Sequence, residues 1–125
     1  MAKLLDAVHR TRQLVTHVHF AADDDDPAVP EYRKVMRAAM PGDEFETGPR
    51  DGLAGWTNKI AVRRAPEYRF LASLGDDMLP RTAGWDARLA RAIGDGPGVA
   101  YPWDGIREDI PEAAVLSSEI VQALG

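Results

Sequence analysis

The stretch that decides the fold is Arg69-Phe70-Leu71-Ala72-Ser73-Leu74-Gly75-Asp76-Asp77-Met78-Leu79-Pro80. An apolar run ends abruptly in two aspartates, and a proline-containing turn then leads into an amphipathic segment that begins near Ala83. This pattern predicts a buried strand over residues 69–74, with two carboxylates at its carboxyl end and a helix after them. Ligands of open α/β sheets bind outside the carboxyl ends of the strands, so Asp76 and Asp77 form a candidate site.

Helical and strand patterns alternate along the rest of the chain. Helices are predicted over residues 3–13, from Pro30 to Met40, from Leu53 to Arg64, around Trp85 to Ile93, and from an N-capping Ser117 to Leu124. Strands are predicted over residues 14–22, 44–47, 69–74, 99–101 and 112–116. The alternation favours a single domain over residues 1–125, built as an open, mainly parallel α/β sheet with helices on both faces.

Composition narrows the class of protein. The chain has 125 residues, of which 45% are apolar and 28% charged, as in ordinary globular domains. Its net charge of -5 argues against general binding to nucleic acid or anionic lipid. Cysteine is absent, which excludes disulfides and thiolate metal sites, and no apolar run reaches the roughly 18 residues of a membrane span. We therefore expect a soluble, cytoplasmic domain with no nucleic-acid partner.

Two acidic clusters follow two predicted strands. Asp23 to Asp26 end the strand over residues 14–22, and Asp76 and Asp77 end the strand over residues 69–74. In a parallel sheet both clusters project from the same edge, where carboxylates can accept hydrogen bonds from a base or ribose and hold Mg²⁺ or Mn²⁺ on a diphosphate. The alternative is solvated turn residues or helix N-terminal charges. We favour that alternative for Asp23–Asp26 taken alone, and binding for Asp76 and Asp77.

Other polar residues offer weaker signals. His17 and His19 point to the same face of a strand, but no third metal ligand accompanies them, so packed or surface imidazoles are the better interpretation. The helix after Gly48-Pro49 is locally basic through Arg50, Lys59, Arg63 and Arg64. Arg63 and Arg64 are typical of a solvated cationic face, whereas Asn58 and Lys59 flank the apolar stripe and could reach phosphates.

The order of these motifs resembles the GT-A glycosyltransferases, and most closely the family-2-type inverting enzymes. The resemblance covers most of the chain and is carried by three segments: Ala21-Ala22-Asp23-Asp24-Asp25-Asp26-Pro27; Gly48-Pro49-Arg50-x-Gly52-Leu53 with Asn58; and Leu74-Gly75-Asp76-Asp77 with Pro80 and Gly84-Trp85. It implies binding of a nucleotide-diphosphate sugar with Mn²⁺ or Mg²⁺ and transfer of the sugar to an acceptor of unknown identity.

The resemblance also implies roles for individual residues. Asp77 matches the metal ligand of the DxD-like motif, and Asp76 matches the aspartate on the ribose or phosphate side. The remaining positions match the lining of the nucleotide: Asp23, Asp24, Asp25, Arg50 and Asn58.

Two family segments have no counterpart in this sequence. One is the first strand with its Pro-Thr-x-x-Arg-Pro-like loop, and the other is the C-terminal region that supplies the catalytic base and a histidine-containing strand. Glu108 and Asp109 are candidates for the base. An alternative is therefore a truncated, non-catalytic module that binds nucleotide or a partner protein, with a homodimer as one way to cover an open sheet edge.

Overall fold

A computed structural model describes residues 1–103 and 113–125. Within these ranges the chain forms five helices: α1 (Ala2–Thr11), α2 (Val29–Met36), α3 (Gly52–Arg64), α4 (Trp85–Ile93) and α5 (Ser118–Leu124). The strands are β1 (His19–Asp23), β2 (Glu44–Gly48), β3 (Phe70–Ala72), β4 (Val99–Ala100) and β5 (Val115–Ser117). The alternation of helices and strands predicted from the sequence is confirmed. None of the helices in the described ranges is long and apolar enough to cross a membrane.

The strands form two small sheets, and this corrects the prediction of one open, mainly parallel sheet. β1 pairs with β2 in parallel, with His19 opposite Glu44 and Asp23 opposite Gly48. The other sheet has the order β3-β5-β4, and β5 runs antiparallel to both of its neighbours. β3 and β4 therefore share a direction, as a strand–helix–strand crossover through α4 requires, but β5 lies between them.

β1 is shorter than the predicted strand over residues 14–22 because its first part is bound elsewhere. The backbone N–H groups of Gln13 and Leu14 and the hydroxyl of Thr16 donate hydrogen bonds to the carboxylate of Asp86, at 2.8 to 3.2 Å. These bonds hold the backbone before His19 against the start of α4, away from a strand ladder.

α1 supplies the most buried part of the core. Leu4, Leu5, Ala7 and Val8 are each at most 5% exposed, on the helix face that the sequence pattern predicts. The Thr11 carbonyl accepts the Gly84 N–H at 2.6 Å, so the end of α1 meets the beginning of α4. Gly84 adopts a left-handed conformation there, with φ of 70°, which glycine reaches without strain.

β1 and β3 run in the same direction although they belong to different sheets. At their amino ends, the hydroxyl of Tyr68 lies 3.4 Å from His19 Nε2. Tyr32 lies beyond their carboxyl ends, near Asp26, which follows β1, and Asp76, which follows β3. Burial raises the pKa of Tyr32, and the charges of these two carboxylates raise it further. Like ends of the two strands therefore lie together, with a cavity lined by both strands.

Ser117 occupies the predicted N-cap position before α5 but makes no side-chain capping bond. Its hydroxyl instead accepts the Gly98 N–H at 3.1 Å and joins β5 to the turn before β4. The serine therefore serves the antiparallel sheet rather than the helix end.

Candidate functional site

The candidate site is a central cavity of about 1420 Å³, lined on its strand sides by β1 and β3. Leu4 and Val8 of α1 and Trp56 and Ile60 of α3 also line it. Its volume exceeds the roughly 300–1,000 Å³ of most small-molecule sites, and close-packed interiors leave few voids larger than a water molecule. The central cavity is therefore large enough to admit a ligand.

Four carboxylates from the two acidic clusters line this cavity: Asp23, Asp26, Asp76 and Asp77. We call these four residues the acidic rim. Tyr32 lies among them, and its raised pKa reflects its burial and the charges of Asp26 and Asp76. One residue of each cluster, Asp26 and Asp76, therefore lies near Tyr32, without the single parallel sheet from which the proximity of the clusters was predicted.

Asp23 is the best-held member of the acidic rim. Its Oδ1 accepts the backbone N–H of Asp51 at 3.0 Å and the indole N–H of Trp56 at 2.8 Å. The Asp51 N–H and then the Trp56 indole lower the pKa of Asp23, so the carboxylate stays ionised at neutral pH. Both of these bonds use Oδ1, and the backbone N–H of Gly52 also lowers the pKa of Asp23.

The other three residues of the first cluster, Asp24 to Asp26, form turn hydrogen bonds and one ion pair. Asp26 Oδ1 accepts the Ala28 N–H at 2.8 Å and stabilises the turn before α2. Asp25 Oδ2 lies 2.7 Å from Arg50 Nη2, and both side chains are more than half exposed. Asp24 is exposed, and its backbone N–H donates to the Gly48 carbonyl at 2.7 Å. An exposed pair such as Asp25–Arg50 contributes little to stability and can open toward a ligand.

Asp76 and Asp77 lie in the turn after β3, and both are exposed. Asp76 is 4.0 Å from the Met1 ammonium group, with 76% of its side chain exposed. The Asp77 carboxylate folds back over Gly75, since a Cβ built at Gly75 would lie 2.7 Å from Asp77 Oδ1. Because Gly75 has no Cβ, it leaves room for the Asp77 carboxylate beside it.

The oxygen donors of this turn suit a hard divalent cation. The described residues contain no group of three or more His, Cys, Asp or Glu side chains that could hold a metal by itself. Mg²⁺ commonly binds through one or two carboxylates and completes its octahedron with waters and substrate phosphates. Asp76 and Asp77 supply carboxylates of the kind that such a site uses.

α3 presents the predicted face to the cavity. All six residues of the stripe line it: Leu53, Trp56, Thr57, Ile60, Ala61 and Arg64. Asn58 is exposed and lies outside the cavity lining, as does Arg50. Lys59 Nζ lies 2.9 Å from Asp51 Oδ2 and 5.4 Å from the centroid of the Trp56 ring. Lys59 therefore packs against the ring whose indole N–H binds Asp23.

The other end of the cavity holds the two histidines that the sequence places on one face. Tyr68 meets both, with its hydroxyl oxygen 2.9 Å from His17 Nδ1 and 3.4 Å from His19 Nε2. Both ring pairs are edge-on, with centroids 5.8 and 5.9 Å apart. Burial lowers the pKa of His19, which favours its neutral form. This end is therefore a packed aromatic contact between the two sheets.

Asp86 is the buried polar residue that sequence reasoning missed. It is 8% exposed and accepts hydrogen bonds from Gln13, Leu14, Thr16 and its own neighbour Ala87. Burial acts to raise its pKa, but these donors outweigh burial and hold the pKa below the ordinary value. The sequence places Asp86 in the first turn of a predicted helix, a position that favours an acidic residue. Its hydrogen-bond donors lie about 70 residues away, and no pattern near Asp86 identifies them.

Glu108 and Asp109, the candidate bases, lie outside the described residues. Searches among protein families, curated proteins and solved structures found no match to this chain.

Proposed function

We propose that this chain binds a nucleotide-diphosphate sugar through a divalent cation and transfers the sugar, as a glycosyltransferase domain of the GT-A type. The observation that carries the proposal is the acidic rim, in which strand-end carboxylates from two separate segments line the same central cavity. Carboxylates that line one cavity favour a ligand that brings a divalent cation and hydroxyl donors.

The positions of the carboxylates suggest how the donor would lie. Asp23, Asp24 and Asp25 would face the base and ribose, whose hydroxyls and N–H groups would donate hydrogen bonds to these carboxylates. Arg50 would leave its exposed pair with Asp25 for a diphosphate oxygen, which a guanidinium binds well. Asn58 would take part only through the outer end of a bound nucleotide, since it lies outside the cavity lining.

Asp77, with Asp76 beside it, would hold Mn²⁺ or Mg²⁺ against the diphosphate. When bound, the cation supplies Lewis-acid stabilisation of the negative charge on the leaving group. In the transfer, an acceptor oxygen bonds to the anomeric carbon as the carbon–oxygen bond to the diphosphate breaks, and its electron pair leaves with the nucleotide diphosphate. The acceptor proton passes to a carboxylate base, for which Glu108 and Asp109 are the candidates.

Titration calorimetry tests the binding step. UDP, GDP, UDP-glucose and GDP-mannose are titrated into the chain with and without Mn²⁺. We expect metal-dependent binding of at least one of them, and a loss of roughly ten- to a hundredfold in Asp77→Asn, the size of one charged hydrogen bond or ligand. Asp6→Asn is the matched control, since Asp6 lies on α1 outside the cavity lining and pairs with Arg10 of the same helix.

Binding that is absent for every probe, or equal in Asp77→Asn and the parent chain, would overturn the assignment. Release of nucleotide diphosphate over hours then separates an enzyme from a binding module. Metal-dependent binding without release above a buffer control would show the non-catalytic alternative.

A further inference from the structure

Met40 belongs to a tight turn outside the lining of the central cavity. In Met40-Pro41-Gly42-Asp43 the Asp43 N–H donates to the Met40 carbonyl at 3.0 Å. Proline at the second position and Gly42 at the third, with φ of 96°, are the arrangement of a type II turn. The Met40 N–H also donates to Asp43 Oδ2 at 3.0 Å. Both backbone groups of Met40 are therefore bound to Asp43, which fixes the backbone that carries its side chain.

The Met40 sulfur lies against a guanidinium whose direction is set by the chain. Arg12 Nη1 donates to the Thr16 carbonyl, and Arg12 Nη2 lies 2.9 Å from Met40 Sδ. Because the N–H groups of a guanidinium form a rigid planar fork, the bond to Thr16 directs the second amino group at the sulfur. A thioether is only a weak acceptor, so this charged donor is paired with a poor partner.

Met40 is also the most exposed of the four methionines in the chain. Its relative exposure is 42%, whereas Met1, Met36 and Met78 are half-buried. The sulfur of Met78 also accepts the Gly75 N–H, at 3.4 Å. An oxidant dissolved in water therefore meets the Met40 sulfur more readily than the sulfur of Met36 or Met78.

We propose that Met40 is an oxidation site, at which hydrogen peroxide forms a methionine sulfoxide that the Arg12 guanidinium binds. The sulfur donates an electron pair to one oxygen of the peroxide, the O–O bond breaks, and hydroxide leaves. The hydroxide then takes the proton of the transferred oxygen, so the products are the sulfoxide and water. Sulfur is oxidised by two electrons, and the peroxide is reduced by the same two electrons.

The neighbouring guanidinium makes the consequence of oxidation unusual at this position. Methionine oxidation commonly disrupts packing, because it places a polar oxygen on an apolar side chain. At Met40 the new oxygen meets Arg12, and a hydrogen bond from a charged donor is about twice as strong as one between neutral groups. Oxidation should therefore strengthen the contact between the end of α1 and the turn before β2.

Peptide mass spectrometry after mild oxidation tests the site. The folded chain is treated with dilute hydrogen peroxide, and the sulfoxide fraction at each internal methionine is followed with time. We expect Met40 to react at least about fivefold faster than Met36 and Met78, in line with its exposure. In concentrated urea the three rates should converge, because unfolding exposes every sulfur.

Urea denaturation of the chain that carries a single sulfoxide at Met40 tests the bond to Arg12. We expect its midpoint to lie about 0.5 M above that of the reduced chain, since a strong hydrogen bond replaces a weak contact. Arg12→Leu removes the donors and should abolish this rise. Arg10→Leu is the matched control, because Arg10 lies on the exposed side of the same helix and pairs with Asp6, and it should keep the rise.

NMR of the arginine side chains adds a measurement that needs no variant. Oxidation at Met40 should slow the exchange of the Arg12 Nη protons with water severalfold and leave the Arg10 protons unchanged. Equal oxidation rates at Met36, Met40 and Met78 in the folded chain would overturn the assignment of the site. A midpoint that falls on oxidation, or that rises equally in Arg12→Leu and Arg10→Leu, would overturn the bond to Arg12. If Arg12→Leu does not fold, unchanged exchange of the Arg12 protons after oxidation overturns it instead.

Discussion

Replacing Asp86 with alanine should destabilise the fold more than any change on the acidic rim. The carboxylate accepts hydrogen bonds from four donors on two segments: Gln13, Leu14, Thr16 and Ala87. One hydrogen bond to a charged group contributes about 1.5–3 kcal/mol, but the four are not additive, and water can reach the donors of the exposed Gln13 and Leu14. We expect Asp86→Ala to lower the free energy of unfolding by about 3 kcal/mol.

Urea denaturation followed by far-ultraviolet circular dichroism measures this loss. With a slope of about 1.5 kcal/mol per molar urea, a loss of about 3 kcal/mol moves the midpoint down by about 2 M. Asp24→Ala is the control, because Asp24 is exposed and its side chain makes none of the described bonds, so it should change stability by less than about 0.5 kcal/mol. A midpoint for Asp86→Ala equal to that of Asp24→Ala would refute the assignment of Asp86 as the anchor between α1, β1 and α4.

The pH dependence of this contribution has a definite sign. Since the folded pKa of Asp86 lies below its ordinary value, the stabilisation is fully present above the unfolded-chain pKa of about 3.9. It is lost as the pH falls from there through the folded pKa. The difference in stability between the parent chain and Asp86→Ala should therefore be constant from neutral pH down to the unfolded-chain pKa and shrink below it.

Three further predictions concern the cavity walls. Trp56→Phe removes the indole donor to Asp23 and should cost about 1 kcal/mol in urea denaturation, whereas Trp103→Phe, at a residue 72% exposed, should cost nothing measurable. Gly48→Ala would place a Cβ 2.9 Å from Trp56 Cη2 and should destabilise by about 1–3 kcal/mol, whereas Gly96→Ala, with no atom within 4 Å, should be nearly neutral. Because burial lowers the pKa of His19, the stabilisation from its neutral form is present above pH 6.5 and lost as the pH falls through the folded pKa; His19→Gln should flatten that loss.

Each of these has a result that contradicts it. An unchanged midpoint in Trp56→Phe would mean that the indole bond to Asp23 is replaced by water at no cost. Equal stability of Gly48→Ala and Gly96→Ala would show that the Trp56 ring moves freely. A His19→Gln chain that loses stability with acid as steeply as the parent would assign the acid sensitivity to other groups.

Local pattern was enough to predict much of this protein. The stripe from Leu53 to Arg64 faces the cavity as its spacing predicts, and Leu4, Leu5 and Val8 are buried as expected. Helical period and turn chemistry are properties of neighbouring residues, so they can be recognised without knowledge of distant partners. The assignment of the Asp76–Asp77 turn to the end of a strand rests on the same local logic.

The strand partners could not be predicted in this way. A strand pattern shows that a segment is extended and which faces are apolar, but the backbone groups along its edges are the same in every strand. The sequence therefore allowed one parallel sheet, whereas β5 lies between β3 and β4 in antiparallel pairing.

The sequence alone determined the helices, the apolar faces and the two strand-end acidic clusters, because these depend on residues close together in the chain. Only the tertiary structure decided that the clusters meet on one cavity, that Trp56 holds Asp23, and that Asp86 binds the chain at Gln13 and Leu14. Such contacts join residues tens of positions apart. Their formation depends on how whole elements pack, which no local period of the sequence encodes.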